Sequence, residues 1–177
     1  SDLDLEVIAM LYELETDERY EMWGGKRMMM VSGGSEHSYI SNNLARLVTN
    51  YVRAHKLGRV YDSTIGVYIH GDLANPDFRS PDLTFVSNDR LHIVQSKGIF
   101  GAPDLIVEIL SPGRANVERD RIEKFALYES YGVREYWIVD PFEEKVEIYV
   151  MNDGKYARAD GSRILPGIEL PREEIFE

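Results

Sequence analysis

Apolar residues recur with two periods along this chain, and each change of period marks a new element. Leu5, Ile8, Ala9 and Tyr12, within Asp4 to Glu15, fall at helical spacing, whereas Arg19 to Val31 alternates as a hairpin turned at Gly24-Gly25. Ile40, Leu44, Leu47, Val48, Tyr51 and Val52 return to three-and-four spacing and predict a helix buried on one face. Ser35 is its expected N-cap, and Gly58 is expected to end it near Leu57. Arg59 to His70 is extended and rich in Val, Ile and Tyr, and Gly71 to Arg79 is a polar connection around Asn75-Pro76-Asp77.

Two β-rich runs follow. Ser80 to Val86 is short, and Ala102 to Ser111 is almost continuously apolar apart from its acids, the pattern of a strand covered on both faces in the middle of a sheet. Pro112-Gly113 breaks that strand. Asn116 to Tyr131 then predicts a helix with Ile122, Phe125 and Ala126 inward, closed by Gly132. Arg134 to Val139 is a further strand, stopped by Asp140-Pro141, and Lys145 to Met151 with Tyr156 to Arg163 forms a hairpin around Asn152-Asp153-Gly154. This order of elements predicts an α/β fold, a mixed sheet with helices packed on it.

Composition narrows the reading. A chain of 177 residues, 44% hydrophobic and without low-complexity segments, is expected to form one domain over 1–177. It holds no apolar run long enough to span a bilayer, and its first residues are too acidic for a secretory signal, so no membrane partner and a cytoplasmic location are expected. With no cysteine, thiolate nucleophiles and cysteine-ligated zinc are excluded. His37, His55, His70 and His92 lack the close pairing of a dedicated zinc site. Lys+Arg 20 against Asp+Glu 31 leaves a net charge of −11, the wrong sign for a broad basic nucleic-acid surface. A local groove and a divalent metal would have to make such contacts instead.

The chemistry lies in misplaced acids. An ionised carboxylate inside an apolar strand requires a cation or a raised pKa, and Glu108 is such a group. Alternation puts Asp104, Ile106, Glu108 and Leu110 on one face and Leu105, Val107 and Ile109 on the other. If Asp82 points the same way from its own strand, two carboxylates converge, and oxygen ligands of this kind suit Mg²⁺ or Mn²⁺. Read alone, Asp82 is equally a solvated acid after a proline. Asp120, Lys124 and Tyr128 lie four residues apart on one helical stripe, and on periodicity Asp120 and Lys124 read as an ordinary surface pair.

Three segments, SPDLTFV, APDLIVEILSP and the DRIEKFALYESYGVREYWIVDP run, resemble the bacterial Uma-two family of restriction endonuclease-like proteins within the PD-(D/E)XK superfamily. The string YGVREYWIVDP is the most specific match, and YEMWGGKRMMMVSGGSEHSYISNNL resembles the family's start through Glu21, Gly24 or Gly25, and His37. The resemblance implies a restriction endonuclease-like mixed central sheet flanked by helices. It also implies that Asp82 and Glu108 hold Mg²⁺ or Mn²⁺. The superfamily's lysine slot, two residues after the second acid, holds Leu110 here, and the resemblance transfers that role to Lys124 of the next helix.

The implied activity is hydrolysis of nucleic-acid phosphodiester bonds, with DNA the expected partner and a homodimer the simplest way to cut two strands. Glu21 and His37 are weaker substrate-binding candidates, and a structural role suits His37 equally. Arg114, Arg119 and Arg121 are possible phosphate contacts or solvated helix charges. The alternative is a catalytically inactive nuclease-fold module that binds nucleic acid or protein.

Overall fold

The computed structural model describes residues 19–30, 33–70 and 76–177, so the helix expected over Asp4 to Glu15 lies outside the described residues. Strands β1 (Tyr20–Trp23) and β2 (Lys26–Met29) form the expected hairpin. Gly24 and Gly25 both take positive φ, +55° and +81°, as a two-residue turn matched to strand twist requires.

Helix α1 (Gly34–Ala54) buries Ile40, Leu44, Val48 and Val52, the stripe its spacing predicts. Its ends differ from expectation. The N-cap position belongs to Gly33, so the Ser35 hydroxyl already lies inside the first turn and caps nothing. The helix closes at Ala54, where the amides of His55 and Lys56 bond back to Tyr51 and Arg53 and Lys56 turns the chain at φ +55°. Gly58 instead opens the next strand. A Cβ there would lie 2.1 Å from the Val86 carbonyl oxygen, so close strand approach rather than helix termination requires the glycine.

The remaining strands are β3 (Gly58–Asp62), β4 (Val67–His70), β5 (Asp77–Arg79), β6 (Leu83–Ser87), β7 (Val94–Gln95), β8 (Gly98–Phe100), β9 (Leu105–Ile109), β10 (Glu135–Asp140), β11 (Lys145–Asn152) and β12 (Lys155–Ala159). They form two mixed sheets, ordered β12-β11-β10-β9-β6-β3 and β2-β1-β5-β4-β8-β7. Among the described residues only β9 with β10 and β4 with β8 pair in parallel; the other pairings are antiparallel. Strand β9 lies inside the first sheet with all five residues buried, as its unbroken apolar run requires.

The alternation along β9 separates two cores. Leu105, Val107 and Ile109 face α1, packing with Ile40, Leu44 and Val48. Ile106 and Leu110 face the second sheet, packing with Val67, Ile69 and Ile99 and with Tyr128 from the helical segment that follows β9. The first sheet is therefore covered by a helix on one side and by a second sheet plus a helix on the other. The final hairpin turns at Asp153 and Gly154 with φ +48° and +80°, and β12 ends at Ala159 rather than continuing to Arg163. A short helix, α4 (Arg172–Phe176), packs Ile175 into the α1 side.

The helix expected over Asn116 to Tyr131 is interrupted. It consists of α2 (Arg114–Glu118), a π turn (Arg119–Glu123) and α3 (Lys124–Tyr131), which ends at Gly132 with φ +86°. The wider turn rotates the later residues relative to a regular helix. As a result Ile122, expected inward, is 64% exposed, and Ala126 is exposed too, while Asp120, Lys124 and Tyr128 are buried. Phe125 remains half-buried against Tyr136, Tyr149 and Tyr156.

Candidate active site

Five elements meet where β9 leaves the first sheet. The β6–β9 register pairs Leu83 with Val107, and one further step along this antiparallel ladder sets Asp82 across from Glu108. The Asp82 carboxylate bridges layers: Oδ2 accepts the Ile109 amide at 2.7 Å, and Oδ1 lies 3.3 Å from Nε2 of His37, in the first turns of α1. The π turn brings Asp120, α3 brings Lys124 and Tyr128, and β1 of the second sheet brings Glu21.

Lys124 is the hub. Its Nζ donates to Glu108 Oε1 at 3.0 Å and to Glu21 Oε1 at 3.2 Å, with Asp120 Oδ1 at 3.8 Å. Tyr128 donates its hydroxyl to the same Glu108 oxygen at 2.9 Å, so Oε1 is engaged twice while Oε2 accepts from no side chain among the described residues. Glu21 is itself held by the Ser80 amide and the Trp23 indole N–H, each at 3.0 Å. Asp82, Glu108, Lys124, Glu21 and His37 thus line one cavity of about 880 Å³.

Three carboxylates around one ammonium leave a surplus of buried negative charge. Burial alone lowers the affinity of Lys124 for its proton, but Glu108, Glu21 and Asp120 outweigh it and raise the pKa, so the lysine is held charged. Glu108 is pushed well above the ordinary carboxylate range, first by burial and then by Asp120, Asp82 and Glu21, against the opposing pull of Lys124. Asp120 is also raised by burial, whereas Glu21 is lowered because Lys124 and its amide and indole donors outweigh its desolvation. His37 is raised, chiefly by its contact with Asp82.

The residues present suit a hard divalent cation. The donors are carboxylate oxygens, and Asp120 Oδ1 is buried without a hydrogen-bond partner among the described residues. Among those residues no group of three or more His, Asp or Glu side chains is placed to hold a metal ion by itself. Asp82 and Glu108 are the residues that would hold such a cation, with water and phosphate completing its coordination in the usual manner for Mg²⁺.

Two site members escaped the sequence reading. Asp120 and Tyr128 were visible as a stripe with Lys124, but their direction was set by the π turn. Of the three arginines, Arg121 is committed to Glu147 at 2.6 Å and Asp140 at 3.1 Å, and Arg114 pairs with Glu118 at 2.8 Å on the surface. Only Arg119 of these lines the cavity.

The profile of the family described as "Uma2: Putative restriction endonuclease" matches residues 6–174. The chain belongs to the Uma2 family. A solved structure, a "putative nuclease belonging to DUF820" from Anabaena variabilis, superposes with a TM-score of 0.70 at 18% identity, covering 92% of each chain. That likeness bears on the fold and agrees with the α/β architecture expected from the sequence. No curated protein matches this Uma2 chain. Among its described residues, no helix is long and apolar enough to cross a membrane.

Proposed function

We propose that this Uma2 protein is a single-domain, Mg²⁺- or Mn²⁺-dependent endonuclease that hydrolyses phosphodiester bonds, with DNA as substrate. The observation that carries the reading is the meeting of Lys124 with Glu108: a lysine from the following helix stands where the strand itself offers Leu110. The family membership and the solved neighbour's printed name point the same way.

In this mechanism Asp82 and Glu108 would hold the metal, which when bound would supply Lewis acidity. The remaining steps belong to the chain. Lys124, kept charged by its carboxylates, is an electrostatic and positioning group rather than a proton acceptor, and stabilises charge developing on the phosphate. Tyr128 and Lys124 both donate to one oxygen of Glu108 and thereby fix the orientation of its carboxylate. Glu21 anchors Lys124, and His37 lies against the Asp82 oxygen that the Ile109 amide leaves free.

The test is calorimetric titration with Mn²⁺, beside Asp82→Ala and Glu108→Ala, followed by cleavage of DNA in Mg²⁺. Saturable binding lost in both variants, with cleavage lost alongside, is expected. Absence of Mn²⁺ binding, with and without an oligonucleotide present, would overturn the reading. Since Lys124 and a metal draw on the same carboxylate, a non-cutting binding module is the second reading; DNA bound but uncut in Mn²⁺ would select it.

A further inference from the structure

The β1–β2 hairpin turns one face towards the candidate active site. Its register pairs Glu21 with Met28 and Trp23 with Lys26. Alternation then sets Arg19, Glu21 and Trp23 on the same side as Lys26, Met28 and Met30. Glu21 fixes which side this is, because its carboxylate reaches Lys124. Arg19, Trp23, Met28 and Met30 line the cavity from this face, Met29 reaches it from the other face at the end of β2, and Ser41 and Asn42 of α1 line it as well.

The groove therefore has a sulfur-rich apolar wall, a wall of short polar side chains and the acidic cluster beside both. Met28 is 39% exposed on β2, the edge strand of its sheet. Met28 shares the cavity lining with Glu21, Asp82, Glu108 and Asp120 and belongs to neither hydrophobic core among the described residues. Polarizable thioethers pack favourably against aromatic rings, and serine and asparagine offer both donors and acceptors to a base edge. A cavity of about 880 Å³ is large enough for a nucleotide.

We propose that this groove seats an unpaired nucleobase adjoining the bond to be cut, packed on Met28 and Met30, so that the preferred substrate is single-stranded or locally unpaired DNA. The inference rests on the nuclease reading and assigns it a substrate class. It also accommodates the net charge of −11, which disfavours a long duplex track but not the insertion of one base. A base stacked within intact duplex cannot reach such a wall without first leaving the stack.

The experiment is fluorescence anisotropy with the full chain in Ca²⁺, using a short fluorescein-labelled single strand and its blunt duplex. The single strand is expected to bind more tightly. Met28→Ala should weaken it about three- to tenfold, the range of a thioether–ring contact. Phe142→Ala, an exposed apolar control far along the chain, should not. Thermal unfolding of Met28→Ala should match wild type, because the side chain is exposed.

Equal wild-type affinity for the two DNAs, or a Met28→Ala affinity within twofold of wild type, would overturn this inference and leave the nuclease reading standing. Failure of wild type to bind either DNA would overturn both.

Discussion

Lys124 and Glu108 form a hydrogen-bonded pair of 3.0 Å between an α3 side chain and a β9 side chain, each about 95% or more buried. The pair is not a balanced ion pair. Glu21 and Asp120 share the same ammonium, and Tyr128 shares the same Glu108 oxygen. A neutral-pair argument would assign it to stability alone. The excess of carboxylates instead makes the cluster short of positive charge, which a metal-binding centre must be before its metal arrives.

Removing the ammonium should therefore be costly. Lys124→Met keeps most of the side-chain volume but leaves Glu108 and Glu21 facing each other, and breaking a buried pair this way costs about 3–5 kcal/mol. Urea unfolding at neutral pH should show that loss, and Mg²⁺ should restore part of it. A variant as stable as wild type without metal would mean that the carboxylates are already protonated when paired.

The acids should also write a signature into stability against pH. Glu108 and Asp120 are raised above ordinary values of 4.5 and 3.8, so within each window the folded chain binds more protons than the unfolded one. Their contribution is full below those ordinary values and declines as pH rises through the window. Glu21, lowered from 4.5, acts in the opposite sense and loses its contribution as pH falls. Glu108→Gln should flatten the decline in unfolding midpoint above 4.5, and identical profiles for the two proteins would contradict the assignment.

Much of this was legible because it is local. The Gly24-Gly25 and Asn152-Asp153-Gly154 turns, the one-sided stripe of α1 and the two-faced burial of β9 follow from periods of a few residues. Glu108 was legible because a charge interrupts an otherwise apolar strand. The second sheet was not, since β5, β7 and β8 are only two or three residues long and are joined by distant pairings such as β1 with β5 and β4 with β8. Asp120 and Tyr128 were hidden for a different reason. In a regular helix a charged stripe beside Ile122 and Phe125 faces water, and only the π turn reverses which stripe is inside.

That reversal predicts a contrast between neighbours. Ile122→Ser should alter stability by less than about 0.5 kcal/mol, as for an exposed position away from special features. Tyr128→Phe, which merely deletes a hydroxyl, should cost about 1–2 kcal/mol because it removes a donor to buried Glu108. Chemical denaturation of the two variants checks the order, and a costlier Ile122 change would restore the regular helix that the sequence suggested.

His37 and Asp82 yield the last expectation. With Nε2 3.3 Å from Asp82 Oδ1, a protonated His37 competes with a cation for that oxygen, while the Ile109 amide occupies the other. The Asp82 contact raises the imidazole above its ordinary 6.5, so the competition is strongest below that value and fades as pH rises through the raised pKa. Mn²⁺ affinity measured by calorimetry should therefore increase with pH in wild type across this range. His37→Ala should bind more tightly than wild type on the acidic side, with a shallower pH dependence, because Asp82 keeps its amide anchor and loses only the competing cation. If instead His37→Ala lowers Mn²⁺ affinity at every pH, the histidine acts by holding Asp82 in place, and orientation outweighs charge competition at this site.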